Sequence, residues 1–303
     1  MRRLVYFCSA VLFALASSSA QAELTYTEIE GYGGVPLNVI ETGNQEGPGI
    51  LLIHGFGQGS LAFRLQMESG LAADFHIVAF DMRGHGLSGK PWQPEQIAPS
   101  EAWAGDVAAV IEATGLEKPV IVGWSYGGFV VSDYLRHYGL DSVSGVNLVG
   151  SLGGLVPRSP FPPSDNVANI MENSRMSRSM VFDENVEASL NTAMGFYTPN
   201  MTEQDKQSQF AMGLLMPSYV KRAMAGRDLD NTDLAATLNI PVLLTRGSRD
   251  VVMPANDTEV ALKALPDVTL SFYDDTGHLP FYHHADRFNQ ELADFVRQVT
   301  GSH

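Results

Sequence analysis

Ser125 stands in a run of residues that could present a hydroxyl group for covalent chemistry. The apolar stretch Val120–Trp124 predicts a buried strand, and it is followed by Ser125 with Gly123 and Gly127 two positions away on either side. Glycine tolerates the crowded backbone of a tight strand-to-helix turn, where larger flanking residues would clash. The pattern therefore predicts that Ser125 is a nucleophile exposed at the tip of such a turn.

A serine hydroxyl is a weak nucleophile at neutral pH, so it needs a base and a third group that orients the base. His278 is the candidate base, and it ends the run Asp274-Asp275-Thr276-Gly277-His278 directly after a predicted strand. Asp250 is the candidate orienting acid, and it follows the preceding predicted strand. The order along the chain is serine, aspartate, histidine.

Eight predicted strands must bring these three residues together. Short apolar runs alternate with longer amphipathic ones, which is typical of an α/β protein with a mostly parallel sheet flanked by helices. Parallel strands deliver the loops that follow them to one edge of the sheet, so the three residues can converge there. The predicted strands are residues 24–30 and 35–41 as an antiparallel pair, then 49–54, 76–81, 120–124, 143–149, 241–246 and 268–273.

Helical spacing predicts the segments that cover this sheet. Ser100 is expected to be the N-cap of the second predicted helix, because serine side chains accept hydrogen bonds from the first free amides of a helix. The predicted helices are residues 61–73, 100–114, 129–138, 255–264 and 286–299.

The pattern changes at a proline cluster, residues 157–163, which no regular element accommodates. From there to about residue 235 the spacing is helical without a clear strand, and residues 151–235 hold eight of the twelve methionines. We therefore predict a core of residues 23–150 and 236–303, interrupted by a helical cap at 151–235. Methionine fills irregular interiors, and a methionine-rich lid would suit an adaptable apolar pocket.

Three motifs make the chain resemble the α/β-hydrolase fold family across nearly its whole length. They are His54-Gly55-Phe56-Gly57, Asp81-Met82-Arg83-Gly84-His85-Gly86-Leu87-Ser88 and Gly123-Trp124-Ser125-Tyr126-Gly127-Gly128. The last two look most like the branch of small esterases, cofactor-free haloperoxidase-like hydrolases and carbon-carbon bond hydrolases. Epoxide hydrolases and haloalkane dehalogenases carry aspartate at the turn, so Ser125 argues against both.

The resemblance implies a catalytic arrangement around the triad. In this family two backbone amides form the oxyanion hole, and they correspond to Phe56 and Tyr126 here. Ser125 would attack a carbonyl, His278 would take its proton, and Asp250 would hold the histidine tautomer. The resemblance implies no cofactor, and we expect no metal site.

The first residues predict export and the overall charge limits the partners. Arg2 and Arg3, an apolar run from Leu4 to Ala16 and small residues up to Ala22 match a secretory signal peptide at residues 1–22. The apolar run is too short to span a bilayer, which takes about 20 apolar residues. Cleavage would change the net charge from −15 to −17, because it removes two arginines and no acid. Such a surface disfavours nucleic acid and anionic lipid headgroups as partners.

Other polar residues have structural interpretations. His54 and His85 lie in glycine-rich turns and are expected to contact loop carbonyls. His283 and His284 are adjacent, so their side chains are expected to point apart. Asp81 and Asp106 are expected to be structural caps or turn formers. Asp274 and Asp275 precede His278 too closely to compete with Asp250 for its ring.

We therefore expect an exported, periplasmic or secreted serine hydrolase that cleaves a small or medium apolar carboxylic ester or lactone. Two alternatives remain open at this stage. One is a carbon-carbon bond hydrolase of the same fold, and the other is a ligand-binding receptor that retains the triad without turnover. The sequence leaves the oligomeric state open.

Overall fold

The structure, a computed structural model, describes residues 23–159, 165–196 and 198–302. The predicted signal peptide, residues 1–22, lies outside the described residues. The centre of the fold is one eight-stranded sheet in the order β1-β2-β4-β3-β5-β6-β7-β8. The strands are β1 Thr25–Glu30, β2 Pro36–Gly43, β3 Gly49–Ile53, β4 His76–Phe80, β5 Val120–Trp124, β6 Gly145–Val149, β7 Val242–Gly247 and β8 Val268–Tyr273.

The sheet is parallel except at one end. Strand β2 pairs antiparallel with both β1 and β4, and all other neighbouring strands are parallel. Every residue of β3 to β7 is buried, whereas the outer strands β1 and β8 are partly exposed. Central parallel strands are covered on both faces, which explains their unbroken apolar runs. The prediction of a mostly parallel eight-stranded sheet flanked by helices is confirmed.

Helices pack on both faces of the sheet. One face carries α2 and α3, which bury Trp103, Val107 and Val130, and the other carries α11, which buries Phe288 and Leu292. The α-helices are α1 Arg64–Met67, α2 Ser100–Thr114, α3 Tyr126–Tyr138, α4 Asp165–Ser177, α5 Phe182–Phe196, α6 Glu203–Leu215, α7 Ser218–Ala225, α8 Thr232–Ala235, α9 Ala255–Ala264, α10 Pro280–His283 and α11 Ala285–Thr300.

Two local predictions are wrong. Residues 61–73 do not form one helix, because they divide into a 3-10 turn at Ser60–Phe63, the single turn of α1 and a 3-10 turn at Gly70–Ala73. The Ser69 hydroxyl accepts a hydrogen bond from the Leu71 amide at 3.2 Å, and this local bond starts a new turn just before a glycine. Ser100 is not an N-cap either, since Pro99 holds that position and the Ser100 hydroxyl contacts the His137 ring.

Where the structure describes the chain between β6 and β7, it holds five helices, α4 to α8, and α5 packs against both α4 and α6. This insertion exposes several large apolar side chains, among them Met180 at 79% and Phe182 at 74% exposure. Within the described ranges, no helix has both the length and the apolar character needed to cross a membrane.

Candidate active site

Ser125 occupies the turn between β5 and α3 with backbone angles of φ 54° and ψ −115°. This positive φ is rare for a residue with a side chain, so the surrounding structure must enforce it. A Cβ atom at Gly123 would lie 2.7 Å from Val131 Cγ2, and one at Gly127 would lie 2.3 Å from the Ile53 carbonyl oxygen. Neither position has room for a side chain, so both glycines are needed for the turn.

Asp250 and His278 are in direct contact. His278 Nδ1 lies 2.8 Å from Asp250 Oδ2, and the other carboxylate oxygen accepts hydrogen bonds from the amides of Val252 at 2.8 Å and Met253 at 3.2 Å. An ionised carboxylate only accepts, so the ring nitrogen that faces it carries the proton. This tautomer leaves Nε2 free to accept a proton. That atom is buried and bonds to no other group in the described part of the chain.

The turn that carries Ser125 lies beside this pair. The indole N–H of Trp124, the residue directly before the serine, donates to the His278 carbonyl at 3.0 Å. A Cβ atom at Gly150, directly after β6, would lie 2.8 Å from His278 Nδ1 and 2.9 Å from Asp250 Oδ2. The ends of four neighbouring strands therefore meet at one corner, and the structure brings Asp250 and His278 together next to the serine turn.

Phe56 and Tyr126 lie close to the serine, since Tyr126 follows it in the chain and a Cβ atom at Gly55, the residue before Phe56, would lie 3.0 Å from Ser125 Cβ. Tyr126 is the first residue of α3, and the amides of a helix's first turn have no partner within the helix. Phe56 sits in a turn closed by a 3.2 Å hydrogen bond from the Gln58 amide to the Gly55 carbonyl, with Gly57 at φ 68°. The rings of Phe56 and Tyr126 have centroids 6.2 Å apart.

A cavity of about 570 Å³ opens at this corner. Its apolar wall includes Phe129, Leu152, Val156, Leu229 and Met253. The insertion contributes two loops to this wall, one before its helices and one after α7. The predicted methionine lid is wrong, because the only methionine lining this cavity among the described residues is Met253, which lies outside residues 151–235. Also lining the cavity are Phe56, Ser125, Tyr126, Gly150, Ser151, Gly154, Pro157, Arg158, Asp230, Thr232, Val252, Pro254 and Asp257.

Asp257 is a buried acid in the cavity wall that the sequence analysis missed. Both of its carboxylate oxygens accept from the Ser159 amide, at 3.1 and 3.2 Å. Asp257 lies in the first turn of α9, where acidic residues are common. The sequence therefore gave no sign that this residue borders a cavity.

His54 and His85 have the structural contacts that were predicted. The first ring lies 2.8 Å from the Gly55 carbonyl oxygen and accepts from the Met82 amide at 3.0 Å, and the second lies 3.0 Å from the Arg83 carbonyl oxygen. Burial lowers the pKa of both rings, most strongly for His85. Across the described residues, no group of three or more histidine, cysteine or acidic side chains could hold a metal ion.

Asp81 forms a turn as predicted, and its carboxylate accepts from the Ser60 amide at 2.7 Å and the Leu87 amide at 2.8 Å. Asp106 also has a structural role, but it lies within α2, where it pairs with Arg83 and accepts from the Tyr32 amide at 2.9 Å. The prediction for the histidine pair is wrong. His283 and His284 have ring centroids 4.3 Å apart, because α10 ends between them and the backbone changes direction there. Asp275 pairs with Arg249, and Asp250 is the acid that contacts the His278 ring.

Comparison with known proteins places this geometry in a family. The model of the alpha/beta hydrolase family matches residues 50–291. A bifunctional esterase/perhydrolase from Acinetobacter calcoaceticus is 26% identical, covering 87% of this chain and 97% of that protein. A pimeloyl-[acyl-carrier protein] methyl ester esterase from Chromobacterium violaceum is 27% identical, covering 83% and 95%. The crystal structure of an esterase from Rhodococcus sp. ECU1013 superposes with a TM-score of 0.79 at 29% identity, covering 90% and 99%.

The sheet, the strained serine turn and the aspartate–histidine pair define an α/β protein built for hydrolysis. The chain belongs to the alpha/beta hydrolase family, and it is a hydrolase.

Proposed function

We propose that this protein is a serine esterase that cleaves a small or medium apolar carboxylic ester or lactone. The observation that carries the proposal is the Asp250–His278 contact beside the strained turn of Ser125. In this arrangement the acid fixes the histidine tautomer, and the free Nε2 atom is available to the serine hydroxyl. The names of the esterase relatives agree with this assignment.

In the proposed reaction Ser125 Oγ attacks the ester carbonyl carbon while His278 Nε2 takes the hydroxyl proton. The tetrahedral intermediate collapses, the proton passes from His278 to the leaving alkoxide, and an acyl-enzyme remains on Ser125. Water then attacks the acyl carbon as His278 removes a proton from it, and the acid product leaves. Asp250 stabilises the imidazolium that forms in each half of the reaction.

The amides of Phe56 and Tyr126 are proposed to bind the oxyanion. Both are backbone groups held by a turn or a helix start, so they need no reorganisation when charge develops. Removal of one such donor commonly costs about 2.7–4 kcal/mol of transition-state stabilisation.

The cavity supports an apolar substrate of modest size. A volume of about 570 Å³ with aliphatic and aromatic walls suits a medium acyl or alkyl group. The net charge of −15 agrees with a neutral small molecule as partner and disfavours nucleic acid. Residues 151–235 are proposed to act as a cap over a core made of residues 23–150 and 236–303.

Export is part of the proposal, and it rests on the sequence of residues 1–22. A signal peptidase would cleave after Ala22. Mass spectrometry of protein recovered from the periplasm or medium would test this, since the expected mature chain begins at Glu23. Retention of the intact N-terminus in the cytoplasm would contradict it.

The direct test is hydrolysis of a chain-length series of p-nitrophenyl esters by the wild type and Ser125→Ala. We expect the substitution to lower kcat by about 10³-fold to 10⁶-fold without unfolding the protein. Ser132→Ala is the matched control, because it removes a buried hydroxyl on α3 that donates to the Gly128 carbonyl. Equal turnover in wild type and Ser125→Ala would refute the mechanism. Turnover of diketones alone would favour carbon-carbon bond cleavage, and a stable adduct without turnover would favour a receptor.

A further inference from the structure

Arg227 lies behind the proposed oxyanion hole and contacts helix α3 at two points. Its Nη1 donates to the Tyr126 hydroxyl at 2.7 Å, and its Nη2 pairs with the Asp133 carboxylate. Tyr126 and Asp133 are seven residues apart, so they share one face of the helix two turns apart. The guanidinium therefore links the first turn of α3 to a residue two turns further along the helix.

A third contact fixes the plane of the guanidinium. The Arg227 Cζ atom lies 4.6 Å from the centre of the Trp103 ring on α2. The Arg227 side chain is 0% exposed and that of Asp133 is 3% exposed. A planar guanidinium held over an aromatic ring, with two partners in its plane, has little freedom to rotate.

Arg227 belongs to the insertion, in the loop directly after α7. The same loop continues to Leu229, Asp230 and Thr232, which line the cavity. The insertion therefore reaches both the wall of the cavity and the helix whose first amide faces the serine.

We infer that Arg227 is a positioning residue for catalysis, which holds the Tyr126 amide in the oxyanion hole by clamping Tyr126 and Asp133 on α3. The inference rests on the proposed esterase function. It assigns the insertion a part in transition-state stabilisation in addition to its contribution to the cavity wall. The clamp acts on an amide that matters only when an oxyanion forms, so it should affect kcat more than substrate binding.

Two variants test the clamp without removing a buried charge. Tyr126→Phe deletes only the hydroxyl that accepts from Arg227. Arg227→Lys keeps a positive charge beside Asp133 but replaces the planar fork with a single ammonium group, which cannot serve both partners in the same geometry. Burial raises the pKa of the Asp133 carboxyl to about 6, so assays at pH 8 keep it ionised.

The matched control is Arg83→Lys. Arg83 forms a comparable buried pair with Asp106 on α2, with Nε and Nη2 donating at 2.7 and 2.6 Å, and it is not among the residues that line the cavity. Arg83→Lys should lower the melting temperature about as much as Arg227→Lys does, and it should leave kcat unchanged.

The measurements are kcat and KM for p-nitrophenyl butyrate and the affinity for butylboronic acid, whose tetrahedral adduct with a serine places an oxygen in the oxyanion hole. For both test variants we expect kcat and boronate affinity to fall together by about tenfold to a hundredfold, with KM changing by less than about threefold. Wild-type kcat and boronate affinity in both variants would overturn the inference. Titration with a fluorophosphonate counts the active serines. If the variants had fewer active serines but the wild-type kcat for each of them, the inference would also be overturned. If the esterase proposal itself is wrong, the wild type will show neither turnover nor boronate binding. The inference about Arg227 is then wrong as well.

Discussion

The loops at the strand ends and the insertion between β6 and β7 both border the cavity, but they are built differently. Asp250 and His278 have side chains that are 0% and 6% exposed, and backbone amides hold the carboxylate in place. The insertion contributes partly exposed residues such as Leu152 and Leu229, and its helices leave large apolar side chains open. The comparison shows that the strand ends hold the aspartate–histidine pair rigidly, whereas the insertion adds loops to the cavity wall and, through Arg227, contacts to helix α3.

Among the variants that follow, Asp250→Asn should give the largest effect, because it changes the acid that is proposed to orient His278. An asparagine cannot hold the same histidine tautomer, and we expect kcat to fall by about 10⁴-fold while the fold persists. Asp274→Asn is the control, since that exposed acid lies in the His278 loop. Steady-state kinetics with a short p-nitrophenyl ester would check this. A large loss in the control with none in Asp250→Asn would move the orienting acid to Asp274.

Lys221→Met examines the interior of the insertion. Lys221 is 3% exposed, its ammonium group donates to the Gly213 carbonyl at 3.2 Å, and burial lowers its pKa to about 8. The unfolded chain keeps this proton up to its ordinary value of 10.5. The wild type should therefore gain stability between pH 8 and 10.5, and below pH 8 the variant should be more stable by at most about 3 kcal/mol.

Urea unfolding of both proteins from pH 7 to pH 10 measures this difference. Lys263→Met, which removes an exposed lysine on α9, is the control and should follow the wild type. If the free energies of unfolding of wild type and Lys221→Met differed by the same amount at every pH in that range, the Lys221 amine would not be the cause of the difference.

Leu229→Trp alters the fit of the substrate and leaves the chemistry in place. The larger ring should shorten the cavity, so kcat/KM for a p-nitrophenyl octanoate should fall by about tenfold or more, while the acetate stays near wild type. Leu190→Trp, on the exposed surface of α5, is the control. Equal losses for both esters would mean that Leu229 supports the catalytic geometry as well.

Met180→Gln should have the smallest effect. Met180 is 79% exposed, and we expect the free energy of unfolding to stay within about 0.5 kcal/mol of the wild type. Met224→Gln, at 2% exposure in the same insertion, is the contrasting variant and should cost about 2 kcal/mol or more. Thermal denaturation compares the two. If Met180→Gln lost as much stability as Met224→Gln, the Met180 side chain would be covered in solution.

The strands and helices around the sheet were predicted well, because apolar periodicity and turn residues are local features of the sequence. Strand β8 and helix α9 have the predicted bounds, Val268–Tyr273 and Ala255–Ala264, since turn residues and apolar periodicity mark both ends. The convergence of Asp250 and His278 followed from the rule that parallel strands deliver their loops to one edge.

The remaining features depend on contacts that no local pattern carries. Residues 61–73 break into short turns because Ser69 bonds to a nearby amide, which helical spacing does not reveal. Arg227 resembles any surface arginine in the sequence, and only the fold places it against Tyr126 and Asp133. The methionines of residues 151–235 have the apolar, flexible side chains that suit a pocket, but in the described part of the chain none of them lines the cavity.

The position of the insertion has a consequence for biosynthesis. The ribosome makes Ser125 early, then the whole of α4 to α8, and only afterwards the two strands that carry Asp250 and His278. Synthesis runs from the N-terminus, so the serine is made well before the histidine that is proposed to activate it. Under the proposed mechanism, a chain that is released before β8 is made lacks His278 and cannot activate Ser125. Ester hydrolysis by that mechanism therefore requires nearly complete translation, so an unfinished chain does not act on the esters around it.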